Sequence, residues 1–148
     1  PMMGRPARVT PFLLSTPGYS SDIHNNTLAV IEYPHATATI RVCSMEVLGL
    51  PRRLLKICGT NGTIELCPLE RFDGQPLQLR LTLKQAVEGY SAGTHVVDFG
   101  IIENRYEAQL REFASILRGE MKNPWTFEHD ELVQEVVLAA SGYTAWRG

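Results

Sequence analysis

Gly89-Tyr90-Ser91-Ala92-Gly93 is the stretch whose residue types and spacing could do chemistry, because it reads GxSxG. In a nucleophile elbow of that form the serine sits on a strained turn between a strand and a helix. The turn lifts its hydroxyl above the sheet toward a histidine base. Asp98 and His129 follow in the chain order such a triad would use. The surroundings argue against it. Thr94-His95-Val96-Val97, after the serine, reads as strand and not as helix. No βαβ alternation encloses the motif and no HGGG-type oxyanion segment accompanies it. A flexible loop is the better reading, and a serine hydrolase using Ser91 is the alternative.

The other chemistry-bearing residues are scattered. His24, His35, His95 and His129 show no HxxxH or HExxH spacing, so no metal site is expected. His129, beside a helix start, reads as a cap or a solvated ring, and His95, in a strand, can line a pocket. Arg52-Arg53 and Arg80 read as isolated, solvated cations; Arg71, in a loop over 69–76, can reach an anionic substrate, although a solvated side chain is the better reading there too. Neither GxGxxG nor GxxxxGK[ST] occurs, so the chain carries no dinucleotide or P-loop fingerprint.

The elements that must position these residues are read from periodicity. Strands are expected at 7–15, with Pro11 arguing for an edge or a bulge, and at 27–33 and 36–47, paired as a hairpin. Further strands are expected at 53–58 and 63–67, joined by a tight turn at Gly59-Thr60-Asn61-Gly62. There the Asn-Gly pair signals a hairpin, because both residues tolerate positive φ. Leucine at 77, 79, 81 and 83 alternates with polar residues, giving a strand with one buried face, and a last strand is expected at 94–99. The stretch 16–26 reads as a polar loop. Two helices close the chain. In the first, Tyr106, Leu110, Phe113, Ala114 and Leu117 share one face, and Gly119 suits the C′ position. In the second, capped by Thr126, the buried stripe is expected to be Leu132, Val136, Ala139, Ala140 and Tyr143. Strands followed by helices define an α+β fold: a largely antiparallel, open-faced sheet of about seven strands with two C-terminal helices packed on one face. The uncovered face of such a sheet implies a partner subunit.

Composition bounds the function. A length of 148 residues is read as a single domain, and 44% hydrophobic with 20% charged residues describes an ordinary globular chain. A formal net charge of −2 gives no electrostatic case for nucleic acid or for an anionic membrane. No apolar run approaches the ~20 residues of a spanning helix. Three cysteines, Cys43, Cys58 and Cys67, without CxxC spacing favour a reducing compartment over a disulfide scaffold, and the cytoplasm is expected. The sequons at Asn25 and Asn61 are read as chance. Pro1 is not a translation start, so the chain is expected to be a piece of something longer.

Three stretches resemble the C-terminal domain of the Gfo/Idh/MocA family of NAD(P)-dependent oxidoreductases. Gly4-Arg5-Pro6-Ala7-Arg8-Val9-Thr10 resembles the family's GxPxxV entry to the sheet. Asn26-Thr27-Leu28-Ala29-Val30-Ile31-Glu32-Tyr33 and Gly59-Thr60-Asn61-Gly62-Thr63-Ile64-Glu65 resemble its "DNTLAVxEY" and "GTxGTIE" strands, with Asn25 where the family often has Asp. Residues 106–113, Arg118-Gly119-Glu120, Asn123-Pro124 and Glu128-His129-Asp130 resemble its closing helices. The order and spacing cover nearly the whole chain.

The resemblance implies a parent enzyme that moves a hydride between NAD or NADP and a sugar, inositol or related polyol. The family's catalytic Glu-Lys-Pro segment and Asp-xxx-His pair do not occur in this sequence. The N-terminal Rossmann domain that would bind the cofactor is expected to be absent from this chain. No catalytic, cofactor-binding or metal-binding residue is therefore expected here. The domain would wall the substrate site and associate as a homodimer or dimer of dimers through its sheet face. Arg71, Tyr90 and His95, in or beside loops at strand ends, are the expected substrate contacts, by hydrogen bonding alone. A non-catalytic scaffold member of the same fold is the other alternative.

Overall fold

The computed structural model describes residues 3–18 and 23–148. The loop expected over 16–26 falls partly on residues 19–22, outside the described set. The chain divides into two compact units, one from Pro1–Glu46 and Lys122–Gly148, the other from Val47–Met121. The α+β class is as expected, with seven antiparallel strands and two α-helices among the described residues. The strands form two hydrogen-bonded sheets, of three and four strands.

In the first unit β1 (Arg8–Leu14), β2 (Asn26–Tyr33) and β3 (Ala36–Cys43) pair in that order. Pro11 sits opposite Ala29 on β1, an edge strand, where a missing N–H is tolerated. The third strand ends at Cys43, short of the expected 47, and a turn follows. Helix α2 (Phe127–Ala140) packs on β1, and Val9, Ile31 and Ala139, each at most 6% exposed, make the core between them. Tyr33, Ala38, Val136, Ala140 and Trp146 close around that core. The Thr126 hydroxyl caps α2, accepting from the His129 N–H at 3.2 Å, and Glu128 and Asp130 place negative charge on the first turn. Tyr143 departs from the expected stripe and is 82% exposed. Gly142, at φ 75°, ends the helix one residue earlier, so Tyr143 no longer follows the helical phase. Asn25 is buried, its side-chain oxygen accepting from the Thr16 N–H at 3.0 Å, which leaves no room for a glycan at that sequon.

In the second unit β4 (Leu55–Cys58), β5 (Gly62–Leu66), β6 (Gln78–Leu83) and β7 (Gly93–Asp98) pair in sequence order. The strict alternation separates two faces. Ile57, Ile64, Leu81 and His95 form one row of the apolar face, and Lys56, Glu65, Arg80 and Val96 one row of the polar face. Arg80, expected to be solvated without a partner, is instead held at 2.9 Å by Glu65, which also takes Lys56 at 3.0 Å. Lys56 first, then Arg80, holds the Glu65 carboxyl below its ordinary range, and Glu65 in turn raises Lys56. The hairpin at 59–62 forms as expected, for a different reason. Gly62 does not use positive φ; a Cβ there would lie 2.5 Å from the Thr82 carbonyl oxygen, so the strand pairing itself requires glycine. Asn61 braces the next connection, accepting from the Gln85 N–H at 3.0 Å and donating to its carbonyl at 3.2 Å.

Helix α1 (Glu107–Leu117) ends at Gly119, φ 73°, where Glu120 N–H bonds the Ser115 carbonyl and Gly119 N–H the Ile116 carbonyl. This is the C′ glycine expected from the sequence. Its apolar stripe is not covered: Leu110, Phe113 and Leu117 are 65%, 59% and 70% exposed. Amphipathic spacing fixes which residues share a face, not whether that face finds a lid. Among the described residues no helix is long and apolar enough to cross a membrane.

Candidate functional site

The hairpin joining β6 to β7 carries two of the three expected substrate contacts. Gly89 at φ 82° and Gly93 at φ 116° let the connection reverse, and Val87 and Tyr90 exchange backbone hydrogen bonds at 2.9 and 3.0 Å. This places Tyr90 beside His95 near the start of β7, with ring centroids 5.4 Å apart and edge to face. The His95 Nε2–H donates to the Ser91 carbonyl at 2.8 Å, which fixes the ring and leaves its apolar-face neighbour Leu81 beneath it. Tyr90 is 37% exposed and His95 half-buried, so the pair is a polar corner at the rim of an otherwise aliphatic sheet face.

The hydrolase geometry does not assemble. Gly93 begins strand β7 directly after the motif, where an elbow needs a helix. Asp98 lies at the far end of that strand, roughly 20 Å from Ser91 at strand rise. Its carboxylate accepts from Gln78 Nε2 at 3.0 Å and from the Gly100 N–H at 2.7 Å, which together hold it below the ordinary carboxylate range. His129 stacks on Trp125 at 4.9 Å in the other unit.

Arg71 is engaged apart from the Tyr90–His95 corner. Its Nε and Nη2 donate to the two Asp73 oxygens at 2.9 and 2.7 Å, a two-pronged pairing within one loop. That pairing, helped by the Gln75 N–H, pulls the Asp73 carboxyl from 3.8 to about 2. The Nη1 edge of Arg71 remains for a ligand. A neighbouring cluster has no signature in residue spacing. Glu70, only 21% exposed in its side chain, binds Arg53 through one oxygen and Arg105 through the other, the latter at 2.6 Å. Arg53, expected to be solvated, is therefore paired. No spacing rule joins residues 53, 70 and 105, which meet only because the chain returns twice to the same loop.

In the first unit an apolar groove of about 610 Å³ opens between the sheet and α2, lined by Leu13, Ile40, Val42 and Val136, with His24 at its rim. Ser15 Oγ lies 3.1 Å from His24 Nδ1. Both side chains are at the surface, and among the described residues neither meets an acidic group that would orient the ring. Among the described residues no three His, Cys, Asp or Glu side chains gather as a metal site.

A dinucleotide cradle needs a parallel strand–turn–helix unit. Every strand pair here is antiparallel, and neither helix follows a strand through a glycine-rich turn. The described residues hold no Rossmann-type cradle. Compared with protein-family models, curated proteins and solved structures, the chain matches none of them.

Proposed function

We propose that this chain is the C-terminal domain of a cytoplasmic NAD(P)-dependent oxidoreductase of the Gfo/Idh/MocA type, whose substrate is a sugar, inositol or related polyol. It walls the substrate site and joins subunits, while the cofactor and the catalytic base belong to a Rossmann domain outside these 148 residues. The observation that carries the reading is the order of the resembling segments along an antiparallel scaffold. Residues 4–10 lead into β1, residues 26–33 are β2, residues 59–65 turn from β4 into β5, and the closing segments are α1 and α2. Tyr90 and His95 offer a ring edge and hydrogen-bonding groups to a polyol at the sheet rim, and Arg71 offers a guanidinium edge from its loop. Free thiols at Cys43, Cys58 and Cys67 accord with a reducing compartment.

The test is the solution mass of the chain by light scattering over a dilution series, with NAD(H) and NADP(H) titrated into the same sample. A dimer that binds neither nucleotide is expected. A monomer, or a chain that binds a nicotinamide nucleotide tightly, would overturn the reading.

A further inference from the structure

We infer that the guanidiniums of Arg53 and Arg105, which converge on Glu70 at the start of the loop over 69–76, form a binding site for a phosphate-class dianion. This inference stands apart from the oxidoreductase reading, since it invokes no cofactor and no Tyr90–His95 corner.

Arg53 follows a short 3₁₀ turn at Leu50–Arg52, and Arg105 lies just before Tyr106, the N-cap of α1, so the two are far apart in the chain. Both converge on Glu70, one on each carboxylate oxygen. Arg105 is fixed from a second side, its guanidinium carbon 5.4 Å from the Phe72 ring centroid and 5.9 Å from that of Tyr106. The Tyr106 side chain also hydrogen-bonds this guanidinium, so Glu70, Tyr106 and the Phe72 ring together hold Arg105 at a set angle. That arrangement is what planar, two-pronged recognition of a tetrahedral oxyanion uses.

The local charge does not cancel. Arg53, Arg71 and Arg105 face two carboxylates, Glu70 and Asp73, and Asp73 is taken up by Arg71. Two guanidiniums thus share the single Glu70 charge, on a chain whose formal net charge is −2. Their side chains remain 53% and 44% exposed, so the unused donors are open to solvent. Surface pairs of this kind contribute little to stability. Glu70 occupies one edge of each guanidinium and competes for those donors with an incoming anion. A dianion can accept from both at once, whereas a monocarboxylate with two oxygens repeats what Glu70 already does.

The experiment is a titration of the full chain with inorganic phosphate, followed by the Nε–Hε resonances of the arginine side chains, with acetate as the parallel arm. Saturable shifts confined to Arg53 and Arg105 are expected with phosphate and not with acetate. Arg53→Gln and Arg105→Gln should each weaken phosphate binding by roughly tenfold. Glu70→Gln gives the opposite sign, tighter binding, because it removes the carboxylate that competes for the same donors. Should either arginine variant fail to fold, the wild-type and Glu70→Gln titrations decide. Shifts that are linear, spread over all arginines or equal for acetate would overturn the site. So would weaker binding in Glu70→Gln, which is the result a purely structural brace would give.

Discussion

The Nε2–H of His95 donates to the Ser91 carbonyl across 2.8 Å, so the histidine nearest the GxSxG serine is committed to that serine's backbone and not to its hydroxyl. Among the described residues Ser91 Oγ has no hydrogen-bonded base to raise its nucleophilicity. A fluorophosphonate probe should leave Ser91 unlabelled, and Ser91→Ala should unfold at the wild-type denaturant midpoint. Labelling of wild type that disappears in Ser91→Ala would restore the hydrolase alternative.

The close approach of β5 to β6 makes Gly62 the most demanding glycine of its sheet. A Cβ at this position meets the Thr82 carbonyl at 2.5 Å and Leu83 Cδ2 at 2.9 Å. Gly62→Ala should destabilise by about 1–3 kcal/mol, as overpacking does. Gly59→Ala, whose Cβ would lie 3.6 Å from the nearest oxygen, should stay within about 0.5 kcal/mol. Urea unfolding of the two variants side by side checks the contrast; equal losses would mean that hairpin flexibility, not the strand contact, sets the requirement.

Acid should loosen the loop over 69–76. Arg71 holds Asp73 at about 2, below its ordinary 3.8, so the folded state binds this proton less readily than the unfolded one. The resulting stabilisation is present above pH 4 and fades as pH falls toward 2. Glu65, lowered by Lys56 and Arg80, acts with the same sign. Carboxyl carbon resonances followed by NMR should titrate Asp73 near 2 in wild type and near its ordinary value in Arg71→Gln. A wild-type Asp73 titrating near 3.8 would contradict the pairing.

The core of the first unit rests on few side chains. Ile31 is 4% exposed against Val9 and Ala139. Ile31→Ala should cost about 2–5 kcal/mol and Ile31→Val about 0.5–1.5 kcal/mol. Thr126→Ala, which removes the acceptor for the His129 N–H, should cost about 1 kcal/mol. Thermal or chemical denaturation measures all three, and a mild Ile31→Ala would mean that α2 is not docked on this sheet.

Local rules made most of the elements legible. Alternating leucines at 79, 81 and 83 gave β6, Thr126 gave the start of α2, and Gly119 the end of α1. What depends on a second segment was not legible. Leu110, Phe113 and Leu117 have the spacing of a buried face and lie exposed, since periodicity says nothing about a partner surface. The division of seven strands into sheets of three and four depends on which strand edges meet. The Tyr90–His95 corner lay within one hairpin and was reachable from loop position, whereas Glu70 with Arg53 and Arg105 required three passes of the chain.

One unit of this chain is continuous and the other is not: Val47–Met121 interrupts a unit whose remaining parts are Pro1–Glu46 and Lys122–Gly148. During synthesis the three-stranded sheet therefore leaves the ribosome with Val9 and Ile31 unmatched, because Ala139 has not yet been translated. At elongation rates of ~5–20 residues per second, the wait is on the order of ten seconds. The interrupting segment has all its strands in hand before α2 emerges. Its order of completion is inside first, outside last, and a nascent chain stalled before Phe127 would hold a finished four-stranded sheet beside an apolar sheet still awaiting its helix.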